Sequence, residues 1–157
     1  TLDIPPVDDA IKTAFDLGYL HHINRLMVVG NYMNLYGISP QEGLKWFMEF
    51  SIDSYEWVMY QNVLDMVFFV TGGKTMRKPY STSSNYVLKM SDYKKGDWCD
   101  TWDGLFWRFM DKQRSFFLKN PRLRMLVNTF DNMDSDKRSK HLENAENFLM
   151  KIDNEKV

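Results

Sequence analysis

The 157-residue sequence contains a single cysteine, Cys99, and only three histidines. One thiol excludes an internal disulfide, a structural zinc site with several cysteine ligands and an iron–sulfur cluster held by this chain alone. No apolar run approaches the roughly 18 residues that cross a membrane. The first residues carry no basic segment followed by an apolar run, so we expect no membrane span and no secretion. An intracellular or organellar compartment is therefore expected, although no feature indicates which one.

The charge of the chain is nearly balanced but unevenly distributed. Twenty Lys and Arg against 21 Asp and Glu leave a net charge of −1, so the whole molecule does not attract nucleic acid or anionic lipid. Residues 1–70 hold nine acidic and three basic residues, whereas residues 71–95 hold one acidic and six basic ones. We predict a basic loop from Lys74 to Lys95 that is solvated or contacts a protein, with DNA as a less favoured partner.

The spacing of apolar residues predicts an all-α fold in one domain, residues 1–157. Pro5-Pro6 indicates an extended entry, and Gly18 and Gly37 indicate the ends of the first two helices. Ser39-Pro40-Gln41-Glu42 is a capping box with a first-turn proline and begins a third helix. Residues 53–70 are predicted as buried helix pieces broken near 61–62. Further helices are predicted over 86–90, 103–118, from 120 onward and over 134–152, with a long connection at 71–85 and a polar loop at 94–98.

The motifs of common enzymes and metal sites are missing. Gly73-Lys74-Thr75 lacks the earlier glycine of a phosphate-binding loop, because Phe68 occupies that position. His21 and His22 are adjacent and point in different directions on a helix, so they do not form a metal site together. No serine lies in a Gly-x-Ser-x-Gly turn, and nothing in the sequence pairs Cys99 with a base. We therefore predict neither a metal site nor hydrolase chemistry.

Five short segments in register carry a resemblance to a known family. The ordered set resembles the C-terminal half of the flavin-binding region of the photolyase/cryptochrome superfamily, closest to the bacterial iron–sulfur cryptochromes and (6-4) photolyases. The resemblance covers nearly the whole chain and implies a helical fold beside FAD. The segments are His21-His22-Ile23-Asn24-Arg25-Leu26-Met27-Val28, Asp53-Ser54-Tyr55-Glu56-Trp57-Val58, Asn62-Val63-Leu64, Lys78-Pro79-Tyr80 and Met90-Ser91-Asp92-Tyr93.

The resemblance implies roles for particular residues. His21 and His22 resemble the pair that faces a flipped pyrimidine photoproduct, where one of them would supply a proton. Arg25 and Asp53 resemble an ion pair beside the flavin ring, and Asn62 is a further flavin-side position. A structural role is the alternative: the histidines would then cap or pack a helix turn, and Arg25 and Asp53 would join two helices.

Several positions depart from the family pattern. Met59 stands where the superfamily places Asn, Asp or Glu against flavin N5, and a thioether cannot exchange a proton there. Lys94, Asp97 and about Asp100 stand at the places of the cluster cysteines. The first half of the flavin-binding region and the antenna domain have no counterpart in these residues. We therefore expect neither a bound flavin nor an iron–sulfur cluster.

The favoured hypothesis is a degenerate, non-catalytic accessory or structural subunit that binds other protein chains. The alternative is a split half or fragment of an FAD-dependent (6-4) photolyase or cryptochrome-like photoreceptor. A third hypothesis, a nucleic-acid-binding module, depends on the basic loop and the aromatic residues. For the favoured hypothesis we expect an exposed apolar surface on Leu26, Met27, Met33 and residues 57–69.

Overall fold

The computed structural model describes residues 1–52, 55–70, 72 and 80–155, and each element in these ranges is helical, as the sequence predicts. Helices α2 and α4 each combine two windings, one of them the wider π-helical winding with hydrogen bonds to the fifth residue back. The elements are α1 (Pro5–Leu17), α2 (π-helical Asn24–Gly30, then α-helical Asn31–Tyr36), α3 (Pro40–Phe50), α4 (α-helical Glu56–Met59, then π-helical Tyr60–Val67), α5 (Ser84–Met90), α6 (Asp97–Lys112), α7 (Arg114–Lys119), α8 (Pro121–Asp131) and α9 (Ser135–Glu155).

The helix ends that depend on local signals lie where the sequence predicts them. Gly18 and Gly37 adopt left-handed conformations, with φ of 62° and 101°, and end α1 and α2. Ser39 and Glu42 form the reciprocal hydrogen bonds of the capping box at the start of α3. Asp134 accepts hydrogen bonds from backbone amides at the start of α9. These predictions are confirmed. They were possible from the sequence because each signal acts between residues no more than four positions apart.

Several predicted boundaries are wrong, and the single helix predicted over 103–118 is divided at Gln113 into α6 and α7. Helix α1 begins at Pro5 rather than after it, since the fixed φ of proline suits the first helical turn. Helix α6 begins at Asp97, inside the predicted polar loop, because Trp98 and Cys99 are buried in the core. Helix α4 has no break near residues 61–62 and instead continues with a wider winding. Burial against other helices decides the last two cases.

The main core lies between α1, α2, α6 and α9, around Trp102, which is completely buried. Helices α6 and α9 approach so closely at Gly104 that a Cβ atom there would lie 2.6 Å from the carbonyl oxygen of His141 and 3.1 Å from the amide nitrogen of Ala145. A glycine at this point therefore sets the distance between the two helices. A second cluster joins α6, α7 and α8 through Met110, Phe117, Leu123, Val127 and Phe130.

Helix α2 lies inside this core. Leu26, Met27 and Met33 are only 1%, 5% and 6% exposed. The prediction that their apolar faces form an exposed surface is therefore wrong: the chain itself covers them, partly with Val67 of α4. In the 57–69 part of the predicted surface Met59 and Val63 are buried as well, whereas Tyr60 is 47% exposed. None of the helices in the described ranges has the length and apolar character that a membrane crossing requires.

Hydrogen bonds from buried polar groups hold the segment before α5. The side-chain amide of Asn31 donates to the carbonyl and hydroxyl oxygens of Thr82, and the indole of Trp102 donates to the same carbonyl at 2.9 Å. The carboxylate of Asp103 accepts from the amide and hydroxyl of Ser84, at 2.7 and 2.9 Å. This carboxylate also interacts favourably with the positive, N-terminal end of the α5 helix dipole. The start of α5 is thereby fixed against α2 and α6.

We predict that Gly104→Val lowers the free energy of unfolding by about 2–3 kcal/mol, because the added atoms meet backbone rather than a side chain that can rotate. Urea unfolding of the purified chain measures the change. Asn147→Ala, at an exposed position on α9, is the control and should stay within about 0.5 kcal/mol. An unchanged unfolding midpoint for Gly104→Val would show that the helices are not in backbone contact.

Candidate functional site

The two adjacent histidines lie at the entry to α2, and both are exposed. Nδ1 of His21 accepts a hydrogen bond from the amide of Ile23, at 3.3 Å, so this ring closes the first turn. His22 lies near Arg25, and its pKa is lowered first by partial burial and then by the positive charges of Arg25 and His21. A lowered pKa favours the neutral imidazole near neutral pH. The histidines are accessible, and the geometry agrees in part with the structural alternative of a helix-turn role.

Arg25 occupies the first turns of α2 and is only 4% exposed. One of its terminal nitrogens donates to the carbonyl oxygen of Leu20, at 3.1 Å, and the other lies 3.9 Å from the sulfur of Met59. Met59 ends the α-helical part of α4 and is completely buried. The structure therefore brings together two residues that are 34 positions apart in the sequence and that the resemblance places beside a flavin ring.

The Arg25–Met59 contact gives a test of whether the flavin ring fits here. A ring beside these residues needs both side chains to face an open space, but both are buried and in contact with each other. The sulfur of Met59 also offers no proton and only a weak hydrogen-bond acceptor to a flavin. As placed, these two side chains contact each other inside the chain.

The remaining predicted site residues are placed only in part. Asn62 is half-buried in the π-helical part of α4. Asp53 lies outside the described residues, so the predicted Arg25–Asp53 ion pair stays a prediction. Lys74 and the other basic residues up to 78 also lie outside them, whereas Lys89, Lys94 and Lys95 are described and exposed. The described end of the basic loop is thus available to solvent.

The residues at the expected cluster positions do not converge on a cation site. Lys94, Asp97 and Asp100 are exposed, whereas Cys99 is buried in the main core. Across the ranges that the structure describes, no group of three or more His, Cys, Asp or Glu side chains is arranged to hold a metal ion. Cys99 therefore packs as a small apolar side chain.

An exposed apolar patch lies where α1 ends and the chain leaves α3. The amide of Ile52 donates to the carbonyl oxygen of Gly18, at 2.9 Å, which places Ile52 beside Leu17 and Tyr19. All three side chains are exposed, Ile52 to 84%. Phe15, also exposed, packs edge to face on Trp46 of α3. We call Leu17, Tyr19 and Ile52 the apolar patch; Phe15 lies two positions before Leu17 on α1 and faces a different direction. The sequence did not predict the patch, since it depends on how two helix ends meet.

A second feature that sequence reasoning missed is the contact between α1 and the segment after α5. The hydroxyl of Tyr93 donates to Oδ2 of Asp9, at 2.7 Å, across 84 residues of sequence. Burial first, and then this hydrogen bond and the Asp9 charge, raise the pKa of Tyr93 to about 12. The one available signal was the Ser-Asp-Tyr segment, which indicates a family but no partner for its tyrosine.

Comparison with known proteins adds two relatives, while no family model matches the chain. "Uncharacterized protein R855" of Acanthamoeba polyphaga mimivirus is 55% identical over 85 residues, which cover 54% of this chain and 69% of that protein. A "(6-4) photolyase" of Agrobacterium fabrum is 36% identical over 153 residues, which cover 91% of this chain and 30% of that protein. The chain thus spans about a third of the photolyase's length.

We predict that Arg25→Ala lowers the free energy of unfolding by about 3 kcal/mol, because it removes a buried guanidinium that holds the Leu20 carbonyl and packs on Met59. Urea unfolding measures this loss, and Lys12→Ala, an exposed cation on α1, should change it by no more than about 0.5 kcal/mol.

A double-mutant cycle extends this measurement to the predicted partner. If Arg25 and Asp53 form a buried pair, Arg25→Ala and Asp53→Ala should be coupled by about 1–3 kcal/mol. Additive losses would remove the ion pair and leave Arg25 held by the contacts described above.

Proposed function

We propose that this chain, which belongs to one family with the mimivirus protein and is related to the (6-4) photolyase, is a photolyase/cryptochrome-like domain that works as a non-catalytic accessory or structural subunit. The proposal separates ancestry from present use. Relation to a photolyase supports the helical framework, whereas function depends on the residues at the site.

The contact between Arg25 and Met59 carries this proposal. In a flavin enzyme the protein tunes the ring through charges and hydrogen bonds at its edge. Here the guanidinium is directed to a backbone carbonyl and a thioether of its own chain. A cofactor that used these residues would have to displace a buried contact between α2 and α4. The geometry supports a structural use of Arg25.

The same proposal covers the iron–sulfur cluster. By the resemblance, Lys94, Asp97 and Asp100 replace the cysteine ligands, and ammonium and carboxylate groups do not substitute for thiolates in holding such a cluster. The neighbouring Trp98 is buried, and its indole donates to the carbonyl oxygen of Lys94 at 3.1 Å. We propose that this hydrogen bond fixes the loop in place of a cluster.

The apolar patch is the surface that we assign to a protein partner. Three large apolar side chains, exposed side by side at one pair of helix ends, differ from the single scattered exposures that are normal for a protein surface. Asp16, next to Leu17 on α1, is exposed, and Glu49 near the end of α3 is exposed and paired with Lys45 at 3.6 Å. A partner segment with an apolar face and basic residues at its edges would complement this surface.

The exposed histidine pair favours the second candidate function. His21 and His22 are accessible and retain the residue types that, by the resemblance, face a photoproduct. In this alternative the chain contributes to an FAD-dependent photolyase or cryptochrome-like photoreceptor, and other parts supply most FAD contacts. DNA would then bind near the basic loop.

We predict that the purified chain, together with any protein that copurifies, carries no flavin and gains none on incubation with FAD. The reason is the buried Arg25–Met59 contact. Visible absorbance, and flavin fluorescence after heat denaturation, measure the content. Met59→Asn, a polar side chain of the type usual at this position in the superfamily, is the comparison. Stoichiometric flavin in the unaltered protein would instead establish the photolyase-like alternative.

We also predict that the apolar patch makes the isolated chain self-associate reversibly as its concentration rises. Leu17→Asp with Ile52→Asp should abolish this association without loss of stability, because both side chains are exposed. Sedimentation velocity measures it. Met125→Asp, at an equally exposed position on α8, is the matched control and should leave association unchanged.

The same samples separate the protein-binding and nucleic-acid hypotheses. Self-association through the patch should hold or strengthen as salt rises, because salt screens the repulsion between acidic residues near the patch, whereas binding to duplex DNA weakens steeply as salt rises. A chain that is monomeric at every concentration but binds DNA tightly would contradict the subunit proposal.

A further inference from the structure

A cavity of about 490 Å³ opens between α1, the π-helical part of α2 and the segment from α5 to Tyr93. Its volume is within the range typical of small-molecule sites. Ala10, Met27, Val28 and Val87 form a buried apolar floor. Residues of α2 line the cavity, but Arg25 is not among them. A ligand in this cavity would therefore not contact the residues that the resemblance places beside a flavin.

The lining of this cavity is selective in charge. Two carboxylates, Asp9 and Asp92, face it together with the rings of Tyr86 and Tyr93. Among the described residues that line it there is no Lys, Arg or His. Asp9 and Asp92 are exposed to solvent, so an anionic ligand such as a phosphate would meet screened negative charge with no compensating cation among the described lining residues, which is unfavourable. A cation would find both a counter-charge and aromatic rings.

The carboxylate of Asp9 is held in a fixed position in which it can bind a cation. Oδ2 of Asp9 accepts the hydroxyl of Tyr93 at 2.7 Å, and this contact ties α1 to the far wall of the cavity. Within the described part of the chain, no hydrogen-bond donor contacts the other oxygen, Oδ1. The phenol of Tyr93 stays protonated at physiological pH, since its pKa is raised to about 12, so the hydroxyl remains a donor. A fixed carboxylate with one available oxygen loses little freedom when a cation binds.

The thioethers complete the chemistry of the walls. Met27 is buried at the floor, and Met90 is exposed at the rim. Methionine side chains adapt to flat or irregular apolar groups and make favourable contacts with aromatic rings. The ligand body that suits this lining is therefore apolar and flat, and its charged end should reach Asp9.

We propose that this cavity is a binding site for an organic monocation, an ammonium group joined to a flat apolar body, with Asp9 as the counter-charge. The site is independent of the flavin question, because its residues differ from Arg25, Met59 and Asn62.

The test uses three probes with the same indole ring and different charge: tryptamine as cation, tryptophol as neutral alcohol and indole-3-acetate as anion. The methyl resonances of Met27 and Met90 report binding by NMR, and those of Met125 and Met150, exposed on α8 and α9, are internal controls. We expect tryptamine to shift the Met27 and Met90 signals at concentrations where indole-3-acetate has no effect, with tryptophol weaker than tryptamine. Equal binding of tryptamine and tryptophol, or shifts confined to Met125 and Met150, would overturn the proposal.

Variants locate the charge that selects the cation. Asp9→Asn should weaken tryptamine about tenfold, the change expected when a hydrogen bond to an ionised acceptor is lost. Asp16→Asn, at an exposed position on the same helix that does not line the cavity, should leave the affinity unchanged. An unchanged affinity of the Asp9→Asn variant for tryptamine would overturn the role of this carboxylate. The preference of the unaltered chain for the cationic probe over the anionic probe is measured without any variant.

The ammonium group of the natural ligand has two sources, a free amine or a lysine side chain of a partner. Capped lysine amide, titrated in parallel with tryptamine, distinguishes them: tighter binding of tryptamine supports a free aromatic amine, whereas tighter binding of the lysine derivative would overturn the flat apolar body and assign the site to a lysine of a protein partner. Failure of both probes to bind would contradict the cation site, whatever the outcome of the flavin measurements.

Discussion

The buried guanidinium of Arg25 is the constraint around which the first half of the fold is arranged. A charged group inside an apolar core is costly unless its donors find acceptors in fixed positions. The chain before α2 therefore has to present the Leu20 carbonyl, and α4 has to place Met59 beside the same side chain. These demands fix how the entry to α2 faces α4. They also explain why the segment just before α2, which carries the two histidines, is held in a defined turn although its side chains are exposed.

The sequence predicts the features of this fold that depend on local signals and misses those that depend on long-range contacts. The capping box at Ser39 and the glycines that end α1 and α2 were predicted because their hydrogen bonds close within a few residues. The start of α6 was predicted six residues late, since the burial of Trp98 depends on helices far away in the sequence. The same reason applies to Gly104, whose role appears only once α9 lies against it.

The candidate site shows the same division. A resemblance selected His21, His22, Arg25 and Met59 from the sequence, and the structure brings the last two into contact. The resemblance could not indicate whether Arg25 faces a cofactor or the chain's own backbone, because that depends on the exact packing of α2 on α4. The Asp9–Tyr93 hydrogen bond and the apolar patch each join residues from distant parts of the sequence, and neither has a signal in the local sequence.

The wide winding of α2 determines how this helix responds to the insertion or deletion of a residue. A π-helical segment holds more residues per turn than an α-helix, so Asn24–Gly30 sets the angular phase between the histidines before it and Asn34 after it. Removing one residue and returning to the ordinary winding would leave the two ends at nearly the same angle, because the wider turns absorb the extra residue. Removing one residue without that change of winding would turn the imidazoles away from their present direction relative to the core. The length and the winding of this segment thus determine its orientation together.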